Sequence, residues 1–496
     1  MSFNSIDFLL FFPAVALLYY LLPARFRWLL LLAASYYFYA AWQPAYALLI
    51  GTATLVSYAA ALLTACATGR ASRIAPIAVA AAVILGTLAI FKYYGFFMDA
   101  LADLLDPLGI TVIARRFDLL LPVGISFYTF QTLGYLFDVY RGQKTAETHL
   151  GRFALFVSFF PQLVAGPIET ASHLMPQLAR KQNFDTDRIV AGLRRVLWGM
   201  FKKVVIADSL AVVVEHIYAL GDRPATEFEG PLLIIGTVLF AFQIYADFSG
   251  YSDIAIGAAR VLGIDLVENF RFPYHAGSIV DFWRRWHMSL YRWFREYVYF
   301  PFGGSRVGAL RRYLNIMIVF LVSGLWHGAA WNFVVWGGIH GLYLIGADIL
   351  RRGRSRVTER GPFAPEPGDP GLRWSALIGV PVTFILVGFA WIFFRADDLG
   401  QAMEIIGRLP DGWDFTLQPG LDDRLSALLQ ANDTAYWRLA PALLLLIEPL
   451  GFGLGRLVAR RHPIFTPIRW AYYAALLMGV LNMGAIEEIP FVYFQF

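Results

Sequence analysis

The chain has 496 residues, of which 58% are hydrophobic and only 16% are charged. A typical soluble domain carries roughly 25% charged residues. This composition, with a mean hydropathy of +0.56, therefore excludes an ordinary soluble domain and indicates an integral membrane protein. The formal net charge is +5, but the basic residues are scattered between apolar segments, which is typical of topology signals and not of a nucleic-acid interface.

Apolar segments of membrane-spanning length follow one another along the chain. A hydrocarbon core about 30 Å thick needs about 20 residues per helix. We predict twelve crossings, at residues 5–22, 26–42, 45–65, 74–98, 118–139, 192–218, 231–260, 312–327, 331–350, 373–394, 438–457 and 467–487. The first segment lacks a preceding basic residue and a following cleavage pattern, so we expect a retained helix. The predicted fold is an all-α polytopic membrane protein with about 11 to 13 membrane helices.

The distribution of Arg and Lys predicts the orientation, because short loops rich in these residues stay in the cytoplasm. The basic side holds Arg25, Arg27, Arg70, Arg73, residues 141–203 and 351–360, Arg456, Arg460 and Arg461. The other side holds Asp99, Asp103, Asp106 and an acidic loop, residues 396–437, with eight acidic residues against two arginines. Both termini are therefore predicted to face away from the cytoplasm.

Two apolar segments, residues 153–167 and 291–304, begin and end on the basic side. We interpret them as re-entrant or interfacial segments, since irregular backbone at membrane depth must be enclosed by protein. The single cysteine, Cys66, cannot form an internal disulfide or a cysteine metal cluster, and we expect it to pack against neighbouring side chains. No combination of histidines has the spacing of a metal site.

The first candidate catalytic residue is His327, in the motif Ser-Gly-Leu-Trp-His-Gly-Ala-Ala-Trp between two apolar spans. An ionisable residue at this position is a functional-site candidate. A neutral imidazole can remove a proton from a hydroxyl, since its ordinary pKa is about 6.5. From spacing alone, a hydrogen bond to a neighbouring helix explains His327 equally well.

The second candidate site follows Asp281, where cations, aromatic residues and His287 precede the segment 291–304. Four arginines here suit a phosphate-bearing donor, because guanidinium pairs with phosphate through bidentate geometry. They are Arg284, Arg285, Arg292 and Arg295. Anchoring to anionic lipid headgroups is the alternative reading of these arginines.

Other polar residues lie inside predicted spans. His340 lies within the span 331–350, where we expect a structural hydrogen bond. Four polar residues of the span 231–260 either line a polar cavity or tie helices together, because they must avoid lipid. They are Asp247, Ser249, Tyr251 and Asp253.

The motifs together resemble the membrane-bound O-acyltransferases, and within them the bacterial alginate O-acetyltransferase group. The likeness to the D-alanyl transferase of teichoic acid synthesis is more distant. The resembling segments are residues 122–131, 159–168, 247–256, 281–304, 324–331 and 336–341. They occur in the same order as in the family, whereas the acidic loop and the last two spans match only loosely.

The resemblance implies a fold and a reaction. The fold is a ring of helices around a thin centre, with an outer funnel, formed by residues 1–496 as a single membrane-embedded domain. The reaction moves an acetyl group from cytoplasmic acetyl-CoA across the bacterial inner membrane toward hydroxyls of an exported polysaccharide, alginate or a similar polymer. Acetyl-CoA is a substrate here, and no permanently bound cofactor is expected.

The resemblance also assigns roles to residues. The family's catalytic histidine corresponds to His327, and its second characteristic histidine corresponds to His287. Such enzymes usually work with a periplasmic acyltransferase, and residues 396–437 are our predicted docking loop for it. The alternatives are a D-alanyl transferase of the same fold and a transporter for the polymer or a lipid-linked sugar. The lack of paired repeats argues against the transporter.

Overall fold

The structure is a computed structural model that describes residues 1–110, 121–164, 166–218, 230–354, 374–413, 441, 444–445, 466–483 and 491–492. Throughout this part of the chain the regular structure is helical, and no strand occurs in it. The protein is therefore an all-α, multi-pass membrane protein, as the composition predicts. The chain forms two compact units, Met1–Val196 with Ser252–Glu268 and Leu197–Tyr251 with Asn269–Phe496.

The first half of the chain contains eleven labelled helices among the described residues. They are α1 (Ile6–Leu21), α2 (Ala24–Ala40), α3 (Ala47–Cys66), α4 (Arg70–Leu88), α5 (Tyr94–Leu105), α6 (Ile125–Tyr140), α7 (Leu150–Ser158), α8 (Phe160–Leu163), α9 (Ala171–Ala179), α10 (Thr186–Met200) and α11 (Asp208–Tyr218). Short π-helical segments connect α4 to α5 and α10 to α11 without breaking the helical path.

The second half begins with the longest described helix, α12, which has 32 residues. The helices here are α12 (Gly230–Val261), α13 (Ile279–Arg285), α14 (Met288–Phe294), α15 (Ala309–His327), α16 (Trp331–Arg354), α17 (Trp374–Arg395), α18 (Leu399–Arg408) and α19 (Thr466–Met483). Side-chain oxygens begin two of the short helices: Ser278 accepts from the Asp281 amide before α13, and Asp398 accepts from the Gln401 amide before α18.

Six stretches of the described helices are both long and apolar enough to cross a membrane. They are Pro44–Cys66, Arg70–Leu108, Gly230–Val261, Ala309–His327, Trp331–Leu350 and Ile378–Arg395. Each falls on a span predicted from the sequence, although the structure extends the fourth predicted span in both directions. Most of the predicted span 438–457 and most of the acidic loop lie outside the described residues.

In the first unit, the apolar segment predicted to be re-entrant forms two short helices, α7 and α8, that bend at Phe159. Their backbone groups at the bend have side-chain partners: the Phe160 amide donates to Ser35 Oγ at 3.1 Å, and the Phe156 carbonyl accepts from Gln131 and Gln162. Since lipid offers no hydrogen bonds, such partners are what irregular backbone at membrane depth requires.

In the second unit, helices α15 and α16 approach closely through two glycines. A Cβ atom at Gly324 would overlap the carbonyl oxygen of Phe333, and one at Gly337 would overlap that of Phe320. The lack of a side chain at these two positions therefore lets the two backbones come together, as small residues do at membrane helix interfaces. A buried ion pair, Arg312 to Asp348 at 2.8 Å, joins the same two helices farther along.

Candidate active site

His327 is the last residue of α15, and its side chain is enclosed by aromatic rings. The ring centroids of Trp326, Trp336 and Phe394 lie 4.7, 5.0 and 5.3 Å from that of the imidazole. The helix ends here because Gly328 takes an extended conformation after it. The residue is only 2% exposed, so His327 lies in an apolar, water-poor environment.

Phe394 comes from α17, whose end is fixed by a buried amide. The Asn332 side chain donates to the carbonyls of Phe393 and Ala396, at 3.2 and 2.7 Å. These bonds satisfy carbonyls that have no partner within their own helix. Asn332 therefore holds the aromatic ring of α17 against His327.

His287 adopts an uncommon backbone conformation that hydrogen bonds hold in place. Its φ is 43°, in the left-handed region that costs a non-glycine residue about 1–3 kcal/mol. The Met288 amide donates to the Asn269 carbonyl at 2.8 Å, and the Ser289 hydroxyl donates to Asn269 Oδ1 at 2.9 Å. Asn269 is fully buried, and its bonds orient the turn between α13 and α14.

The partner of His287 determines which ring nitrogen carries the proton. Nδ1 lies 3.0 Å from Asn269 Oδ1, which only accepts, so Nδ1 is the donor. Nε2 then holds a lone pair, and it has no hydrogen-bond partner among the residues that the structure describes. Burial lowers the pKa of His287 to about 3, because the charged form is poorly solvated there.

The two candidate histidines share one aromatic neighbour. Trp326 contacts the His327 ring and also lies 6.1 Å from the His287 ring. On its other side, His287 meets Phe248 of α12 edge to face at 4.6 Å. The structure thus brings His287 and His327 into one aromatic cluster in the second unit.

His340 has the structural hydrogen bond expected from the sequence. The Trp283 indole nitrogen donates to His340 Nδ1 at 3.3 Å, which ties α13 to α16. The imidazole is fully buried and packs against Trp336 at 5.0 Å. His340 therefore supports the tryptophan that contacts His327.

The four candidate arginines are all half-buried, but their contacts differ. Arg285 pairs with Asp281 at 2.8 Å, and Arg295 lies 3.3 Å from Glu296. Arg284 contacts the Tyr291 hydroxyl. For Arg292 no ion pair is seen within the described part of the chain, which leaves its charge the most available of the four.

A cavity of about 960 Å³ lies in the second unit beside the His327 motif. It is lined by Ala211, Val212, Glu215, His216, Phe240, Gln243, Ala329, Ala330, Phe333, Arg395, Ala396, Asp397 and Val492. His327 is not part of the wall. Instead Phe240 and Phe333 of the wall pack on Phe394, at 6.4 and 5.0 Å, and Phe394 packs on His327.

The polar residues predicted inside α12 tie structural elements together. Asp247 lies 3.0 Å from Lys203, which also binds Asp208 at 2.7 Å, and its other oxygen accepts from the Val492 amide at 2.7 Å. Ser249 accepts from Lys202, Tyr251 packs against Phe491, and in the first unit Asp253 pairs with Arg195. The sequence left open whether these residues line a polar cavity or tie helices together. The structure shows that they tie structural elements together.

Comparison with known proteins then gives the family. A sequence model described as the membrane-bound O-acyltransferase family matches residues 146–389. The Pseudomonas putida protein named "Probable alginate O-acetylase AlgI" is 36% identical, with all of both chains covered. This chain belongs to the membrane-bound O-acyltransferase family.

Two further relatives extend the comparison. The protein of the same name from Azotobacter vinelandii is 39% identical over 84% of this chain and 79% of its own. A Helicobacter pylori protein named "Peptidoglycan O-acetyltransferase" is 34% identical over 82% of this chain and 79% of its own. The prediction of an O-acyltransferase enzyme is thereby confirmed.

Sequence reasoning missed three residues of this O-acyltransferase site: Gln243, Asn269 and Asn332. Gln243 could have been found, because it is a polar residue inside a predicted span, one helical turn before Asp247. Asn269 and Asn332 gave no comparable signal, since a loop asparagine and one near a helix start are common on protein surfaces. Only the tertiary structure shows that both are fully buried.

Proposed function

We propose that this O-acyltransferase moves an acetyl group from acetyl-CoA in the cytoplasm toward hydroxyls of an exported polysaccharide, alginate or a similar polymer. His327 acts as the general base that deprotonates the acceptor hydroxyl, and His287 lines the donor side. Support comes from the names of the relatives and from the placement of His327 one aromatic ring, Phe394, behind a cavity whose mainly apolar wall also carries charged and polar side chains. That placement is the observation on which the proposal mainly rests.

The environment of His327 suits a base that acts on a hydroxyl. The rings packed on the imidazole hold it in place, and in its neutral form an imidazole can accept a proton from a hydroxyl. The same surroundings exclude water, which would otherwise compete with the acceptor for the acetyl thioester. The reaction transfers the acetyl carbon from sulfur to the acceptor oxygen, and the proton taken by His327 is passed to the leaving thiolate.

The half-buried arginines of α13, of α14 and of the π-helix that follows it, Arg295–Tyr299, are the proposed contacts for the donor's phosphates. Arg292 is the strongest member, because Arg285 and Arg295 lie against carboxylates and Arg284 against the Tyr291 hydroxyl, whereas no ion pair is seen for Arg292 within the described residues. An Arg292→Ala variant should raise the KM for acetyl-CoA about tenfold, as expected for one lost charge-assisted hydrogen bond. The exposed Arg311 provides the control, and an equal effect of Arg311→Ala would contradict the donor role.

The protein is proposed to lie in the bacterial inner membrane with both termini extracytoplasmic. The acidic loop, residues 396–437, then faces the periplasm, where a partner acyltransferase would complete delivery to the polymer. Its described part carries an amphipathic helix, α18, capped by Asp398. Reversing the loop's charges should reduce co-purification of the partner, and undiminished co-purification would remove the docking proposal.

The decisive experiment compares cells that carry the wild-type protein or His327→Ala, with equal amounts of protein in the membrane. Acetyl content of the exported polysaccharide should fall to background in the variant, while the quantity of exported polymer stays the same. His340→Ala serves as a structural comparison from the same aromatic cluster. Persistent acetylation with His327→Ala would show that His327 is structural and would overturn the mechanism.

A transporter without acyl-transfer chemistry would give a different result. Loss of His327 would then reduce the amount of exported polymer and leave the acetyl content per sugar unchanged. Polymer yield and acetyl content are measured on the same sample, so the two outcomes are distinct. A D-alanyl transferase would be distinguished by a D-alanyl ester, not an acetyl ester, on the product.

A further inference from the structure

We propose that Gln243 is a positioning residue for the acceptor, and that the cavity beside the His327 motif is a sugar-binding subsite in which its amide bonds a ring hydroxyl. This inference rests on the proposed function for the acceptor class. It does not depend on the catalytic role of His327, because it concerns binding alone.

The first argument is the state of the Gln243 side chain. The residue is only 7% exposed, and its amide oxygen has no hydrogen-bond partner among the described residues. Leaving a buried polar group without a partner costs about 1–3 kcal/mol. Gln243 also lines the cavity, so a rotation that exchanges its amide oxygen and nitrogen would present the oxygen to a ligand there.

The position of Gln243 along its helix strengthens this argument. It lies near the middle of α12, one of the helices long enough to span the membrane. Polar residues at such depth are costly and mark substrate pathways unless they bond within the protein. Asp247, one turn farther along α12, does bond within the protein, to Lys203 and to Val492. Gln243 thus differs from Asp247 on the same helix, because its amide oxygen has no hydrogen-bond partner among the described residues.

The second argument is the chemistry of the cavity walls. Glu215 and Arg395 form an ion pair at 2.7 Å, and Asp397 lies 3.5 Å from the same arginine. Together with the Gln243 amide, these groups offer both donors and acceptors. Phe240 and Phe333 supply apolar faces. A sugar presents alternating hydroxyls and an apolar ring face, and such a wall matches both features.

The third argument is the path from this subsite to the base. Phe240 lies one turn from Gln243 on α12, and both Phe240 and Phe333 pack on Phe394, the ring that contacts His327. Ala329 and Ala330, which follow the His327 motif directly, complete that side of the wall. Phe394 therefore joins the wall of this subsite to the His327 ring, which places a sugar held by Gln243 on the side of the base that Phe394 covers.

The test measures binding of two defined probes to the detergent-purified full chain by microscale thermophoresis. The probes are a β-1,4-linked mannuronate tetrasaccharide and a β-1,4-linked glucose tetrasaccharide. Gln243→Leu keeps the size of the side chain and removes its polar atoms. We expect the probe that binds to lose about tenfold in affinity, as for one hydrogen bond.

Thr237→Val is the matched control, because Thr237 is a buried polar residue of the same helix that bonds Tyr218 and lies outside the cavity wall. It should leave affinity within about twofold. His327→Ala should also bind normally, so failure of the catalytic proposal and failure of this one are distinguishable. Binding of neither probe by the wild type, or equal binding by Gln243→Leu, would overturn the inference.

Discussion

At the scale of single residues, hydrogen-bond partners decide how the histidines differ. Asn269 fixes the His287 tautomer with its proton on Nδ1, whereas the Trp283 indole makes Nδ1 of His340 the acceptor. His327 is surrounded by ring faces and edges. Three histidines of one aromatic cluster are thus held in three distinct environments, and chemical roles follow from those environments more than from spacing in the sequence.

The depressed pKa of His287 predicts a pH dependence of stability. The folded state holds this pKa at about 3, while an unfolded chain has the ordinary value of about 6.5. The unfolded state therefore binds the proton more readily, so stability is full above pH 6.5 and falls as the pH decreases from 6.5 toward 3. At pH 5 the His287 contribution amounts to a loss of about 2 kcal/mol.

This loss is measured by comparing unfolding in detergent at about pH 7.5 and about pH 5. The His287→Gln variant should show a smaller decrease in stability between the two pH values than the wild type. Replacement of the exposed His149 by Gln provides a matched control. If His287→Gln loses as much stability on acidification as the wild type, the assignment of a buried, neutral His287 in the folded protein is wrong.

At the scale of elements, the close packing of α15 on α16 determines where the candidate catalytic residue His327 lies. Gly324 and Gly337 bring the two backbones together, and this contact sets the distance between His327 at the end of α15 and Trp336 on α16. Glycine is required at both positions because a Cβ atom on either residue would overlap a backbone carbonyl of the other helix. The packing of the helices and the environment of the histidine are therefore one structural feature.

A Gly324→Ala substitution should separate these helices and destabilise the protein by about 1–3 kcal/mol, as overpacking in a well-packed interior does. The matched control is Gly346→Ala on α16, where an added Cβ meets nothing within 4 Å. The fraction of monodisperse protein in size-exclusion chromatography and the midpoint of thermal unfolding report the effect. Equal behaviour of the two variants would show that the close approach is not required.

The sequence predicted these elements well where periodicity and length carry the information. Each of the six membrane-length helices coincides with an apolar segment, and the His327 motif lies at a helix end as expected. It could not place Phe394 against His327, because the two are separated by an entire helix and the contact depends on how α17 packs. The Asn269 bond to His287 likewise spans a loop with no local signature.

At the scale of the whole molecule, the charge distribution predicts a sidedness that can be measured with the single cysteine. Cys66 was expected to pack, but the structure shows its side chain exposed. The reason is its position: it is the final residue of α3, at the short loop before α4, whose first turn carries Arg70 and Arg73. On our orientation this loop faces the cytoplasm, which makes Cys66 a natural topology probe.

Spheroplasts treated with a membrane-impermeant maleimide should leave Cys66 unlabelled until the membrane is permeabilised. A second variant, Cys66→Ser with Asp103→Cys, moves the thiol to the exposed end of α5 on the opposite side. This thiol should react in intact spheroplasts. Labelling of Cys66 without permeabilisation, together with protection at position 103, would reverse the predicted orientation of the entire chain.

The rings packed around His327 also bear on the electrical insulation of the membrane. A water-filled cavity that opens to one face of the membrane could join an opening from the other face. Protons would then flow through the protein down the gradient that powers the cell. Trp326, Trp336 and Phe394 leave His327 only 2% exposed, so no continuous column of water passes its imidazole. The proposed passage of an acetyl group through the bilayer is thus compatible with a chain that does not leak protons at His327.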